Sequence, residues 1–169
     1  MAPYTMKIYF KNPVSNIKYI GSARLPGDGW VSMSGWNVNA GTETGEAASL
    51  AKDDGTEGLW MATLFAVEGC RQNLLVTAAM STAKGSVVVT KLAFVDAKDS
   101  STLWKDWYYN PEDLGLTSGT AISKGETNAS GAKAVFSAGF AKVEATYPDA
   151  SCTISVTHVD LPVVNPIAR

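Results

Sequence analysis

Hydrophobic and polar residues alternate along much of this chain with a period of two, which is the period of a β-strand that has one face in a core. Residues 4–11 carry apolar side chains at every second position. Residues 151–160 show the same alternation around Ile154 and Val156. The pattern therefore predicts half-buried strands near both ends of the sequence.

Further strand patterns fill the middle of the chain. Residues 59–67 are apolar at most positions, which is typical of a central strand covered on both faces. Residues 73–81 and 86–96 lie on either side of a short turn that contains glycine, and they predict an antiparallel hairpin. Shorter patterns predict strands at 17–23, 30–38 and 102–109.

Two segments are ambiguous. Residues 39–58 are rich in glycine and acidic residues, so they predict a loop in which residues 46–52 form at most a short helix. Residues 132–147 alternate like a strand, but four of their apolar residues also fit one face of a helix. These four are Phe136, Phe140, Val143 and Tyr147. The flanking strand patterns favour a strand, with a bulge between Phe140 and Val143.

The number and spacing of these elements predict the fold class. Eight or nine short strands with few helices indicate an all-β protein, and we expect a single-domain antiparallel β-sandwich over residues 1–169. A closed or partly open β-barrel is the alternative. One or two short helical turns are also expected, one of them at Asn110-Pro111-Glu112-Asp113.

Composition limits the partners that this chain can have. Apolar residues make up 46% of the sequence and charged residues 18%, and the net charge is -2. Because nucleic-acid binding depends on an excess of basic side chains, we expect no nucleic acid partner.

No apolar run reaches the ~20 residues of a transmembrane helix. The first residues lack the pattern of a secretory signal, so the expected location is the cytoplasm unless a leader has been removed.

Few residues are suited to catalysis or to metal binding. The chain has one histidine, His158, and two distant cysteines, Cys70 and Cys152, which are expected to be thiols. No Gly-x-Ser-x-Gly turn presents a nucleophile to His158, and one histidine makes a histidine-based metal site improbable. We therefore expect neither a metal nor a cofactor and no enzymatic activity. A hydrolase that uses two carboxylates is the remaining enzymatic alternative.

Aromatic residues beside polar ones form the most suggestive segment of the sequence. A flat ring next to hydrogen-bonding groups suits a sugar or the interface of a lipid membrane, although the same rings could belong to the core. The candidate ligand-binding residues of this segment are Trp104, Asp106, Trp107, Tyr108, Tyr109 and Asn110. Trp30 and Trp36 share one face of the strand predicted at 30–38 and form a second candidate surface.

Three classes of function are compatible with these features. The first is a non-enzymatic recognition protein that binds carbohydrate or membrane lipid through the aromatic surface. The second is a self-assembling structural protein, whose partners are copies of itself joined at open sheet edges. The third is a soluble pore-forming protein that inserts a hairpin from residues 117–147.

Overall fold

The fold is given by a computed structural model of the chain. It describes residues 4–24, 31–52, 59–81, 87–96, 98, 133–138, 141–146 and 151–157. Ten strands lie in these ranges. Their bounds are β1 Tyr4–Lys11, β2 Ile17–Arg24, β3 Val31–Gly35, β4 Gly45–Lys52, β5 Leu59–Val67, β6 Asn73–Ser81, β7 Val87–Val95, β8 Lys133–Ala138, β9 Ala141–Thr146 and β10 Ser151–Thr157.

The strands form two sheets that pack face to face. One sheet has six strands in the order β3-β4-β1-β10-β9-β8, and the other has four in the order β2-β5-β6-β7. Neighbouring strands are antiparallel except for β1 and β10, which pair in parallel. Both sheets are open among the described strands, so the predicted all-β sandwich is confirmed and the closed barrel is not the arrangement found.

The core lies between the two sheets and follows the sequence patterns. In β1, the side chains of Met6, Ile8 and Phe10 are fully buried, while the residues between them are partly exposed. In β5, every residue from Met61 to Phe65 is buried, as expected for a strand inside the smaller sheet. The β6–β7 hairpin forms as predicted.

The prediction for residues 46–52 was wrong, because this segment is strand β4 and neither loop nor helix. It pairs with β1 on one side and with β3 on the other. A register shift at Ile8 and Tyr9 places the consecutive residues Ala47 and Ala48 both in the core. Sheet pairing and burial thus override the high helix propensity of alanine.

The described residues of the 132–147 segment, 133–138 and 141–146, form two strands rather than one bulged strand. β8 and β9 pair antiparallel with Ala138 opposite Ala141, so the chain reverses direction between them. This reversal accounts for the change in the alternation that the sequence shows near Phe140. The third strand is also shorter than predicted, because β3 ends at Gly35 and Val38 makes an isolated bridge to Ile17.

A cluster of aromatic rings joins the two sheets. The ring of Phe65 meets Phe10 edge to face at a centroid distance of 5.0 Å, and it meets Tyr19 at 6.1 Å. The ring of Tyr19 then lies directly on the backbone of Gly35, where a Cβ atom would overlap its ring carbons. Because Tyr19 is in β2 and Gly35 is in β3, this contact closes one side of the sandwich.

We expect Gly35→Ala to lower the free energy of unfolding by about 1–3 kcal/mol, because the added methyl group would displace the Tyr19 ring. Urea denaturation would measure the change. Ser34→Ala, at the exposed neighbouring position, is the control and should change it by less than about 0.5 kcal/mol. Equal stability of the two variants would show that this contact does not constrain the fold.

Two buried threonines in the smaller sheet provide a second test. Thr63 shares a hydrogen bond of 3.0 Å with Ser22, whereas the hydroxyl of Thr77 has no hydrogen-bond partner among the described residues. An unpaired buried hydroxyl costs about 1–3 kcal/mol, so Thr77→Val should leave stability unchanged or raise it. Thr63→Val should lower stability by about 1 kcal/mol. Thermal unfolding of both variants checks this order, and the reverse order would contradict it.

Candidate functional site

Three connections between strands meet at one end of the sandwich, which we call the loop end. They are residues 12–16, 36–44 and 68–72. β1 ends beside the start of β4, since Phe10 pairs with Gly45. β5 ends beside the start of β2, since Val67 pairs with Ile17. The antiparallel pairing therefore brings together loops that are far apart in the sequence.

The first two loops are fastened to each other by two main-chain hydrogen bonds and by one bond to a side chain. Their contact crosses from one sheet to the other, because residues 12–16 lead into β2 and residues 36–44 lead into β4. The hydrogen bonds are Asn12 N to Thr42 O at 2.9 Å, Gly41 N to Pro13 O at 2.9 Å, and Ala40 N to the Oδ1 atom of Asn16 at 2.8 Å. These bonds hold the two loops in one defined arrangement.

Asn16 also joins the third loop. Its Nδ2 atom donates to the Oε2 atom of Glu68 at 2.7 Å, and its main-chain oxygen accepts from the Glu68 N–H at 2.9 Å. Glu68 lies in a tight turn in which Cys70 N donates to Val67 O at 3.0 Å. Gly69 has a φ of 92° at the third position of this turn, a conformation that glycine adopts without strain.

A cleft of about 390 Å³ opens between these loops. Its volume lies within the range of about 300–1,000 Å³ that is common for small-molecule sites. The lining combines apolar residues at the strand ends with polar residues on the loops. The lining residues are Asn16, Ile17, Lys18, Asn37, Asn39, Ala66, Val67, Glu68 and Cys70.

Two asparagines on the 36–44 loop present amide groups to this cleft. The Oδ1 atom of Asn37 accepts from Tyr19 N at 3.0 Å, which leaves the two N–H groups of its amide without a partner among the described residues. The side-chain amide of Asn39 makes no hydrogen bond within the described part of the chain. Both residues are exposed, so their free amide groups are accessible to a ligand.

Cys70 contributes a buried thiol to the wall of the cleft. Its side chain is 9% exposed, and it forms no disulfide. Burial raises the pKa of the Cys70 thiol from 9.0 to about 11, because the thiolate loses hydration. The thiol is therefore protonated at neutral pH and is a poor nucleophile.

Two apolar side chains are exposed on the loops of the loop end. Val14 is 53% exposed and Trp36 is 46% exposed, and both belong to the loop end. A third exposed apolar residue of the described part, Met33, lies on β3. It is three residues before Trp36, which corresponds to about 10 Å along a strand. The loop end thus combines a polar cleft with two exposed apolar side chains.

The structure describes one of the eight ligand-binding residues that the sequence predicts. Trp36 directly follows β3, is exposed at the loop end and donates its main-chain N–H to Ala47 O at 3.0 Å. Its role in binding stays a prediction. The other seven lie outside the described residues: Trp30, Trp104, Asp106, Trp107, Tyr108, Tyr109 and Asn110. The strand that precedes the 104–110 segment, β7, ends at the loop end, since Val95 pairs with Asn73.

The sequence patterns do not single out the polar residues of the cleft. Asn16, Asn37 and Glu68 are far apart in the chain, and strand pairing alone brings them together. The sequence feature that could have pointed to the cleft is the presence of asparagines close to strand ends. Asparagine is also common in ordinary turns, however. Sequence alone therefore does not distinguish these residues from turn residues.

Within the described residues, no group of three or more His, Cys, Asp and Glu side chains could hold a metal ion. No helix in the same part of the chain has the length and the apolar character to cross a bilayer.

No protein-family model matches the chain, and no curated protein matches it. Among solved structures, the chain is similar to the crystal structure of the lipid binding protein Nakanori, with 12% sequence identity and a TM-score of 0.46. The match covers 95% of this chain and 73% of that chain. A similarity at this level does not indicate the function of the chain.

The raised pKa of Cys70 predicts slow alkylation in the folded protein. The rate constant for reaction with iodoacetamide should increase with pH up to about 11, whereas in the urea-unfolded chain it should level off above about 9. Peptide mapping by mass spectrometry reads Cys70 separately from Cys152 and provides the rates. Identical pH profiles in the folded and unfolded chains would contradict the burial of this thiol.

Proposed function

We propose that the protein is a non-enzymatic recognition protein that binds a membrane lipid surface through its loop end. The observation that carries this proposal is the exposure of Val14 and Trp36 on two loops that are fastened together. Tryptophan favours the interface between lipid and water, because its ring is apolar and its indole N–H can hydrogen-bond. The hydrogen bonds between the two loops fix the positions from which these side chains are presented, so the loops do not have to rearrange on binding.

The charge of the protein indicates which lipid surfaces it binds. The net charge of -2 provides no general attraction to anionic lipids. Lys18 and Glu68 in the cleft carry opposite formal charges. Binding should therefore depend on apolar contact and on hydrogen bonds, and it should change little with ionic strength.

The exposed apolar residues alone provide only weak binding. Burying an apolar side chain fully contributes about 1.5–3 kcal/mol, and about half of each side chain is already covered in the free protein. Val14 and Trp36 together would then contribute about 2 kcal/mol, less than the ~4 kcal/mol of a millimolar dissociation constant. The proposed function therefore requires a second contribution, which polar contacts to a lipid headgroup can provide.

Self-association is a second candidate function, favoured by the open edges of the sheets. Among the described strands, β3 and β8 each pair with one neighbour and form the two edges of the larger sheet. In β3, Ser32, Met33 and Ser34 are exposed. Exposed edge strands can pair with a strand of another copy. Sedimentation velocity over a wide range of concentrations, in the absence of lipid, would detect such assembly.

The pore-forming alternative receives less support. The described strands of the 117–147 segment, β8 and β9, have six residues each, and a transmembrane β-strand needs about 9–11. β9 is also paired with β10 along five residues, so insertion would require this pairing to break. Release of dye from vesicles is the measurement that would reveal a pore.

We expect the double variant Val14→Ser and Trp36→Ala to reduce binding to lipid vesicles about tenfold or more, because it removes about 2 kcal/mol of apolar contact. Co-sedimentation with vesicles of total lipid extracts from animal, plant and fungal membranes measures this. Met33→Ala is the matched control, because it removes an exposed apolar side chain of β3 outside the loop end.

The control should bind like the natural protein, and all variants should keep their thermal transition within a few degrees. Two results would contradict the proposal. One is a natural protein that sediments with none of the vesicles. The other is a double variant that binds as well as the control does.

A further inference from the structure

We infer that the cleft at the loop end binds a neutral, polyhydroxylated ligand of the size of one sugar ring. The ligand can be a free glycan or the headgroup of a glycolipid, since both present the same hydroxyl groups. This inference rests on the proposed function in one respect, because it identifies the polar contact that membrane binding requires.

The hydrogen-bonding groups of the cleft match those of a sugar. A hydroxyl group donates one hydrogen bond and accepts up to two. The amides of Asn37 and Asn39 have N–H groups that remain free to donate, and the carboxylate of Glu68 has lone pairs free to accept. The cleft therefore offers both donors and an acceptor to the hydroxyl groups of a sugar.

Two of the three polar groups of the site, those of Glu68 and Asn37, are held in place before a ligand arrives. The hydrogen bond from Asn16 Nδ2 holds the Glu68 carboxylate, and the hydrogen bond from Tyr19 N holds the Asn37 amide. A sugar loses binding energy when it has to order flexible side chains, so fixed partners increase its affinity. The volume of about 390 Å³ accommodates a ligand of this size.

The charged residues of the cleft favour a neutral sugar over a charged lipid headgroup. A phosphate in the cleft would face the carboxylate of Glu68, and an ammonium group would face Lys18. The described lining contains no aromatic ring, so it does not form the cage that recognises quaternary ammonium groups. A neutral ligand meets neither repulsion, and hydrogen bonds decide its binding.

The first experiment tests binding to free sugars. Saturation-transfer NMR on the full chain would use the methyl glycosides of glucose, galactose, mannose and N-acetylglucosamine as probes, with inositol phosphate and phosphocholine as charged comparisons. At least one glycoside should bind, and more tightly than both charged probes. If no glycoside binds, or if a charged probe binds best, the inference is overturned.

Variants of the cleft locate the binding. Asn39→Ala should weaken the binding of the glycoside about tenfold, because it removes a side chain that makes no other hydrogen bond in the described structure. Glu68→Gln should also weaken it, since a neutral amide accepts more weakly than a carboxylate. Glu43→Gln is the matched control. Glu43 is exposed on the 36–44 loop, which also carries Asn39, and it does not line the cleft. Equal binding by all three variants overturns the inference.

A measurement on the unmutated protein does not depend on how well the variants fold. Because Cys70 lines the cleft, a bound glycoside should slow its alkylation by iodoacetamide at least threefold without changing the rate at Cys152. Binding of the glycoside without protection of Cys70 would place the ligand elsewhere and overturn the inference.

Vesicles test whether the ligand is the headgroup of a glycolipid. They consist of phosphatidylcholine and contain or lack galactosylceramide or glucosylceramide. Glycolipid should increase binding of the natural protein and not of Asn39→Ala. The two proposals can fail separately. If the Val14 and Trp36 variant loses vesicle binding while Asn39→Ala keeps it, the lipid function stands and the sugar site is wrong. If Asn39→Ala no longer binds the free glycoside and the natural protein binds no vesicle, the sugar site stands and the lipid function is wrong.

Discussion

The contact of the Tyr19 ring with the backbone of Gly35 is the constraint on which the loop end depends. A sandwich of six strands against four leaves β3, at the edge of the larger sheet, with limited cover from the smaller one. Tyr19 spans this gap from β2, and its ring contacts Phe65, which in turn packs against Phe10. The two sheets are thus joined near the start of β2 and at the end of β3, next to the loops of the loop end.

The position of that contact explains why the loops form a defined cleft. Tyr19 also donates its main-chain N–H to Asn37, so the residue that closes the sandwich orients an amide of the cleft. Asn16 has the corresponding role on the other side, because it binds the 36–44 loop through its Oδ1 atom and Glu68 through its Nδ2 atom. The walls of the cleft are therefore extensions of the sandwich, and a change in the packing below them would alter the spacing of its polar groups.

The sequence predicts the fold better than it predicts the site, for physical reasons. Strands such as β1 and β5 are visible because burial of one or both faces imposes a pattern on neighbouring residues. β4 is not visible, since its alanines favour a helix locally and become strand only through pairing with β1 and β3. The parallel pairing of β1 with β10 is equally hidden, because an alternating pattern does not specify its partner.

The cleft shows the same limit at the level of function. Trp36 could be proposed from sequence because it shares one face of the predicted strand with Trp30, and it is exposed. Asn16 and Glu68 are 52 residues apart, and neither has a neighbour in the sequence that indicates a site. Their chemistry arises from a hydrogen bond that exists only in the folded chain.

The separation of apolar and polar groups at the loop end has a consequence for affinity and selectivity. In the proposed function, Val14 and Trp36 would bind any interface that accepts an apolar side chain, so they would add affinity without discriminating between lipids. The asparagines and Glu68 contribute little on a surface without matching hydroxyls, because water satisfies them equally well in the free protein. Only a surface that offers both environments within the span of one cleft engages both sets. Since the same fastened loops carry both sets, we expect the second contact to cost less conformational entropy once the first is made, so that the two contributions combine in one binding event.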